Sequence, residues 1–189
     1  MVIENVAAFD NVAGLWVLYA DSLQVDGSAF RNNSVGSASG WGLLVQGVRN
    51  VDIQDTEVIG NYVGLRLTTV AGAPSTASIT GLTVTTNASH AVRVTSVSTS
   101  FRETHIAGNS GDGLRFEGTP LQLYVGSGTV LEGNSGFQLV DLRPANQGTF
   151  VVSRYALPGS GLTLGSYLGP AEVANVYRIE NAGNGFLFQ

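Results

Sequence analysis

The sequence contains no cysteine and no lysine, and only 12% of its 189 residues are charged. Without cysteine the chain forms no disulfide and no thiolate metal site. Without lysine it has no side-chain amine for Schiff-base chemistry. The nine basic residues are therefore all arginine, and the net charge of −5 offers no general attraction for nucleic acid. We expect no nucleic-acid partner.

Long apolar runs are also missing. No stretch has the length of a membrane-spanning helix, and residues 1–5 lack the basic start of a signal peptide. We therefore expect no membrane partner. The two histidines, His90 and His105, fall in different parts of the repeat described below and have no third ligand beside them. Neither a metal site nor a cofactor is expected.

Glycine, by contrast, is abundant at 25 residues, and it is interspersed with many Ser, Thr and Asn. This composition is typical of β-rich proteins with many tight turns. Five segments share one scheme, in which an apolar residue is followed by a turn with Asn and Gly and then by an apolar–polar–apolar triplet. They are Val58–Leu67, Val84–Val94, Thr104–Phe116, Leu131–Leu139 and Ile179–Phe188, and a weaker copy lies at Phe9–Val17.

The spacing of the repeated asparagines predicts a solenoid. Asn61, Asn87, Asn109 and Asn134 lie 26, 22 and 25 residues apart, within the 20–50 residue range of such repeats. Asn181 lies 47 residues after Asn134, which fits two units with a middle one at 155–164. Asparagine tolerates the left-handed backbone of a sharp corner, and stacked amides can hydrogen-bond between coils. We expect these asparagines to turn the chain and to serve structure rather than function.

Within each triplet the apolar residues alternate with one outward position, as in a strand with one buried face. The segments are β-branched and interrupted by Gly, which argues against a helical repeat. We predict an all-β, parallel β-solenoid of about eight coils, formed by 1–189 as a single domain. The alternative is a β-sandwich whose strands imitate a repeat. Leu162/Leu164 and Phe186/Phe188 are predicted to continue the triplets, and neither end resembles a cap, which suggests part of a larger protein or assembly.

This repeat of Asn turns and apolar triplets every 22–28 residues resembles the right-handed parallel β-helix of the pectate-lyase-like superfamily. Within it, the Ser/Thr/Gly-rich texture without Lys or Cys is most similar to bacteriophage tail spikes and other trimeric virion proteins. The resemblance covers nearly the whole chain. It implies a homotrimer that associates with other virion proteins at the virion surface.

Three arginines form the first candidate binding site. Arg66, Arg93 and Arg115 occupy the outward middle of three consecutive triplets, so they should stack about 5 Å apart on one face. Because like charges placed opposite each other on a sheet are destabilising, something should compensate them. The compensation is either an anionic ligand such as an acidic polysaccharide, or carboxylates close by, which are Glu57, Glu103 or Glu117 of this chain or acids from a neighbouring subunit.

Four carboxylates are the candidate catalytic groups, if the protein is an enzyme at all. Asp52, Asp55 and Glu57 belong to one coil, whereas Glu103 should share a column with Asp55 two coils away, about 10 Å distant. That separation exceeds the usual one of an inverting glycosidase. A solvated row of acids is the alternative interpretation.

Exposed aromatic rings bind sugars and anchor protein interfaces, and Trp16, Trp41 and Tyr62 are the candidates. The resemblance implies a non-catalytic structural or receptor-binding β-helix of a phage tail spike, tail fibre or capsid decoration, and we expect a cell-surface polysaccharide as its ligand. Two alternatives stay open. One is a glycoside hydrolase or lyase that uses the outer carboxylates, and the other is an adhesin at the bacterial cell surface.

Overall fold

The structure is a computed structural model that describes residues 1–33, 40–70, 75–120, 122–157, 165–173 and 175–189. Its described part consists of β-strands and one short 3₁₀ helix, Arg154–Ala156. The predicted pair Leu162/Leu164 lies outside the described residues. No helix in the ranges above is long and apolar enough to cross a membrane.

The strands, numbered in chain order, form three sheets. The first sheet contains β1 (Val2–Glu4), β4 (Ser22–Asp26), β7 (Asn50–Gln54), β10 (Thr76–Thr80), β13 (Ser98–Arg102), β16 (Leu123–Val125), β19 (Gly148–Val152), β23 (Asn184–Phe188) and β20 (Gly165–Leu168). The second contains β2 (Ala7–Phe9), β5 (Ala29–Arg31), β8 (Glu57–Ile59), β11 (Thr83–Thr85), β14 (His105–Ala107) and β17 (Val130–Glu132). The third contains β3 (Ala13–Leu18), β6 (Trp41–Gln46), β9 (Val63–Thr68), β12 (Val92–Thr95), β15 (Leu114–Glu117), β18 (Leu139–Asp141), β22 (Tyr177–Ile179) and β21 (Ala171–Val173).

Successive coils each contribute one strand to each sheet, and the strands of neighbouring coils pair in parallel. The predicted all-β parallel solenoid is thus confirmed, and a β-sandwich is not what forms. The second sheet has six strands, so the described residues make six complete coils rather than about eight. The prediction was too high because the chain forms the 3₁₀ helix after β19, where another strand of the second sheet would follow.

Each sheet directs apolar side chains of successive coils into the interior. In the first sheet the register aligns Val25, Ile53, Ile79, Phe101, Val125, Val152 and Phe188. These side chains are at most 3% exposed and belong to a single apolar cluster with those of the other two sheets. Burial of these columns offsets the entropy of ordering strands that are too short to be stable alone.

The asparagine stack is confirmed. The Asn87 side-chain amide donates to Oδ1 of Asn109 at 2.8 Å, and Asn109 donates to Oδ1 of Asn134 at 2.8 Å. The amide of Asn61 reaches Asn87 at 3.2 Å, and the exposed Asn11 starts the stack against Asn33 at 3.4 Å. Each inner amide also donates to backbone carbonyls inside the corner. We call this row the asparagine ladder.

The ladder asparagines do not themselves turn the chain, so that prediction was wrong. The left-handed backbone belongs to the residue just before each of them, at φ values between 54° and 67°: Asp10, Asn32, Gly60, Thr86, Gly108 and Gly133. The ladder position instead needs an amide that donates inward and accepts from the preceding coil. Both positions favour small polar residues, so composition alone does not separate them.

The assignment of the last triplet was also wrong. Phe186 and Phe188 lie in β23, which pairs with β19 in the first sheet, whereas the third sheet receives Tyr177 and Ile179 of β22. The apolar-x-apolar pattern is the same for both strands, so it does not identify the sheet. In keeping with this, Asn184 rather than Asn181 is the fully buried amide of this region.

Beyond β23 and β22 the parallel stacking gives way to antiparallel pairing. β20 pairs antiparallel with β23, and β21 pairs antiparallel with β22, so the chain reverses direction at the edges of the first and third sheets. Gly169, at a φ of 84°, and Pro170 lie in the short connection between these two strands. β20 and β21 are therefore the outermost strands of the first and third sheets at this end of the stack.

Candidate functional site

The outward face of the third sheet carries one column of candidate residues. Its register aligns Trp16, Leu44, Arg66, Arg93, Arg115, Val140 and Arg178, one from each successive coil. The in-register placement of Trp16 and the three arginines is therefore as the repeat predicted. Leu44, Arg66, Arg93, Arg115, Val140 and Arg178 come from strands that are paired on both sides, so the sheet fixes their positions along the axis, whereas Trp16 lies in β3, the edge strand of the sheet.

Two of the three arginines are neutralised within the chain. Glu117 accepts hydrogen bonds from Arg93 at 2.7 and 3.0 Å and from Nε of Arg115 at 2.7 Å. Asp112 accepts from Nη1 of Arg115 at 3.2 Å. Nearby carboxylates, and not an anionic ligand, thus compensate the charges of Arg93 and Arg115. Of the three acids suggested for this role, Glu117 performs it, whereas Glu57 pairs with Arg31 in the second sheet.

The electrostatics follow from this network. Burial by itself would raise the pKa of Glu117, but hydrogen bonds from Arg115 and Arg93 lower it below its ordinary value. Burial opposes the charge of Arg115, yet its bonds to Glu117 and Asp112 raise its pKa. His90 lies 3.3 Å from Asp112, and burial lowers its pKa despite that neighbour. Its Nδ1 accepts a hydrogen bond from the backbone N–H of Asp112.

The network predicts a pH-dependent stability. Because the pKa of Glu117 is lower in the folded protein, its contribution is fully present above the ordinary value of 4.5 and is lost as pH falls through the folded value. We expect Glu117→Gln to reduce the free energy of unfolding by about 1 kcal/mol at pH 7 and by much less at pH 3. Urea unfolding at both pH values measures the difference, with the exposed Glu4→Gln as control. A pH-independent loss would contradict the assignment.

Arg66 differs from the other two arginines. Within the described ranges no carboxylate lies within ion-pair distance of it, and its buried Nε has no hydrogen-bond partner. Its guanidinium lies 5.7 Å from the ring centroid of Trp41. Burial, followed by the nearby charge of Arg93, lowers the pKa of Arg66, and Glu117 offsets this in part. The column therefore retains one guanidinium charge without a close counter-charge.

Two tryptophans adjoin this guanidinium. Trp16 and Trp41 meet edge to face with ring centroids 6.4 Å apart, and Trp16 is 59% exposed. Leu44, between Trp16 and Arg66 in the column, points outward yet is only 3% exposed. We call Trp16, Trp41, Leu44 and Arg66 the Trp–Arg patch. It combines open ring surface with one cation on a rigid sheet.

Tyr62, the third aromatic candidate, lies beside this patch and not within it. Tyr62 is half-buried in the turn before β9, directly ahead of Val63, the register partner of Trp41. The structure therefore brings Trp16, Trp41 and Arg66 together from three successive coils. Tyr62 belongs to the coil of Arg66 and lies just before β9. The sequence did not single out Leu44, although an apolar residue in an outward slot was a visible departure from the pattern.

The candidate catalytic carboxylates do not converge. Asp52 lies on the outer face of the first sheet and accepts a hydrogen bond from Gln54 at 2.8 Å. Glu57 lies in the second sheet and pairs with Arg31. Asp55 and Glu103 occupy the corner between these two sheets, with positive φ values of 43° and 50°.

Asp55 and Glu103 do share a column, as predicted, with Gly81 between them. The Asp55 side chain covers Gly81, where an added Cβ would lie 2.2 Å from Oδ1, and the Glu103 side chain covers Gly128 in the same manner. Each carboxylate side chain thus lies against the glycine of the next coil along the chain. Their separation stays near two strand spacings, about 10 Å, which is too long for the usual pair of glycosidase acids.

Neither a metal-ligand group nor a similar protein identifies the activity of this site. Across the described ranges no three His, Asp or Glu side chains form a group that could hold a metal ion. Comparison of the chain with protein-family models, with curated proteins and with solved structures finds no match. The function must therefore be argued from the surface of the coils.

Proposed function

We propose that the chain is a non-catalytic structural and receptor-binding β-helix of a phage virion, and that its Trp–Arg patch contacts polysaccharide at the host surface. The observation that carries the ligand part is the convergence of Trp16, Trp41 and Arg66 on one rigid face. Tryptophan rings and arginine are the residue types that dominate recognition surfaces. The resemblance in repeat texture supports the virion and the homotrimeric state.

The position of the carboxylates supports a non-catalytic role. Asp52, Asp55 and Glu57 face different sides of one coil, and Glu103 is two coils from Asp55. A hydrolase that uses Asp55 and Glu103 is the second candidate, favoured by their common column above Gly81. Their spacing makes it the weaker proposal.

Binding to surface polysaccharides tests the proposal. We expect Trp16→Ala to weaken binding at least about tenfold, because a sugar ring would lose its stacking surface. Tyr19→Ala is the matched control, since Tyr19 is a 69% exposed ring in the same coil, at the corner that follows β3. Equal binding by both variants would contradict the assigned surface.

Two outcomes of the same samples bear on the rest of the proposal. Release of oligosaccharides that Asp55→Asn abolishes would replace the non-catalytic role with the hydrolase. A monomer by light scattering at micromolar concentration would contradict the homotrimer.

A further inference from the structure

Charge balance separates the three arginines of the outward column. Arg93 and Arg115 share two carboxylates, Glu117 and Asp112, so these four groups sum to zero. Arg66 adds a charge that no described carboxylate neutralises at ion-pair distance. An anionic ligand of this column would therefore bind at Arg66 and not along the whole face.

The geometry at Arg66 suits an oxyanion. Within the part of the chain that the structure describes, its buried Nε has no acceptor, and its terminal nitrogens are not among the buried unpartnered atoms. A planar guanidinium presents its donors as a fork that matches the two oxygens of a carboxylate. The ring of Trp41 holds this fork from one side. A bound carboxylate would also relieve the repulsion between Arg66 and Arg93.

The surroundings of Arg66 favour an extended ligand over a free ion. Trp16 lies two coils away in the same column, about 10 Å by strand spacing. Between them the outward side chain is Leu44, which is only 3% exposed and carries no competing hydrogen-bond group. A small anion would contact only Arg66, but a chain of sugar rings reaches Trp16 as well.

From these contacts we infer that the Trp–Arg patch selects a polysaccharide whose units carry a carboxylate, and that Arg66 is the residue that makes the selection. This inference rests on the proposed function, since it specifies the ligand of the same surface. Trp16 supplies affinity for the sugar ring, and Arg66 supplies the preference for its acid form. Arg93 and Arg115 contribute nothing to that preference because Glu117 and Asp112 already bind them.

The test compares one oligosaccharide in two forms. The probes are a fluorescently labelled oligosaccharide of glucuronic acid and its methyl ester, which has the same rings without the charge. We expect the protein to bind the acid at least about tenfold more tightly than the ester, the ratio that one charged hydrogen-bonded contact supplies. Arg66→Gln should weaken binding of the acid alone and remove this ratio. Arg66→Lys, which keeps the charge but loses the fork, should give an intermediate ratio.

Arg178→Gln is the matched control, because Arg178 occupies the same column and is paired with Glu180 at 3.0 Å. It should leave the ratio unchanged, and circular dichroism of every variant reports whether the solenoid has folded. Equal binding of acid and ester, both weakened by Trp16→Ala, would overturn the carboxylate selection and leave the proposed function standing. A ratio that survives Arg66→Gln would also overturn it. Binding of neither probe by the intact protein would count against both proposals.

Discussion

Asp141→Ala should lower the free energy of unfolding by about 3–5 kcal/mol, the loss expected when one partner of a buried ion pair is removed. Asp141 occupies an inward column of the third sheet whose other members include Val94, Phe116 and Ile179. It is fully buried, and its carboxylate accepts from Nε and Nη2 of Arg143 at 2.8 and 2.7 Å.

The size of this effect follows from what remains after the substitution. Arg143 is only 2% exposed, and its other donors are held by the carbonyls of Gln147 and Gly148. Without Asp141 its charge would stay buried with partners that carry only partial charge. Urea unfolding at pH 7 measures the loss.

A second variant keeps this prediction specific. The double variant Asp141→Leu with Arg143→Met replaces the pair by apolar groups of similar size, and such replacements are often neutral or stabilising. It should therefore recover most of the stability that Asp141→Ala loses. A double variant no more stable than the single one would show that the site depends on polarity and not on charge pairing.

Asn109→Ala should lower the free energy of unfolding by a similar amount, about 3–5 kcal/mol. Its side chain donates to the carbonyls of Val84 and Ala107 and to Asn134, and it accepts from the backbone N–H and the amide of Asn87. Alanine would leave several of these buried groups without partners, each at a cost of about 1–3 kcal/mol.

The first rung of the asparagine ladder provides the control. Asn11 is exposed, and among the described residues its side-chain amide donates to the carbonyl of Phe9 and to Asn33. Because water can replace these contacts, Asn11→Ala should cost less than about 1 kcal/mol. Comparison of the two urea midpoints tests the ladder, and similar losses at both positions would contradict its buried, interlocked geometry.

The sequence predicted the parts of the fold that repeat. The Asn positions and the apolar triplets determine the register, so the column of Trp16, Arg66, Arg93 and Arg115 could be read before the structure was known. Register in a parallel solenoid depends on like residues stacking, which is a local property of the sequence. The asparagine ladder was predictable for the same reason.

Departures from the repeat were not predictable from its period. Residues after Asp141 form a 3₁₀ helix and two antiparallel strands, which the spacing of Asn134 and Asn181 does not reveal. Asp141 itself breaks the apolar-x-apolar rule, and its partner Arg143 explains the exception only in three dimensions. The candidate site was not predictable either, because the sequence does not show that Arg66 is the arginine of the outward column without an ion pair among the described residues.

The asparagine ladder has a mechanical consequence. Its rungs connect each coil only to its neighbours, and the row runs along one corner of the stack. Force applied at the termini acts first on the coils at the two ends of the stack. Each coil that detaches breaks the hydrogen bonds of one rung, and the force then acts on the next coil. We therefore expect single-molecule stretching to yield a sawtooth with small, regular steps when the chain is pulled from its termini, each step releasing about one coil of contour length.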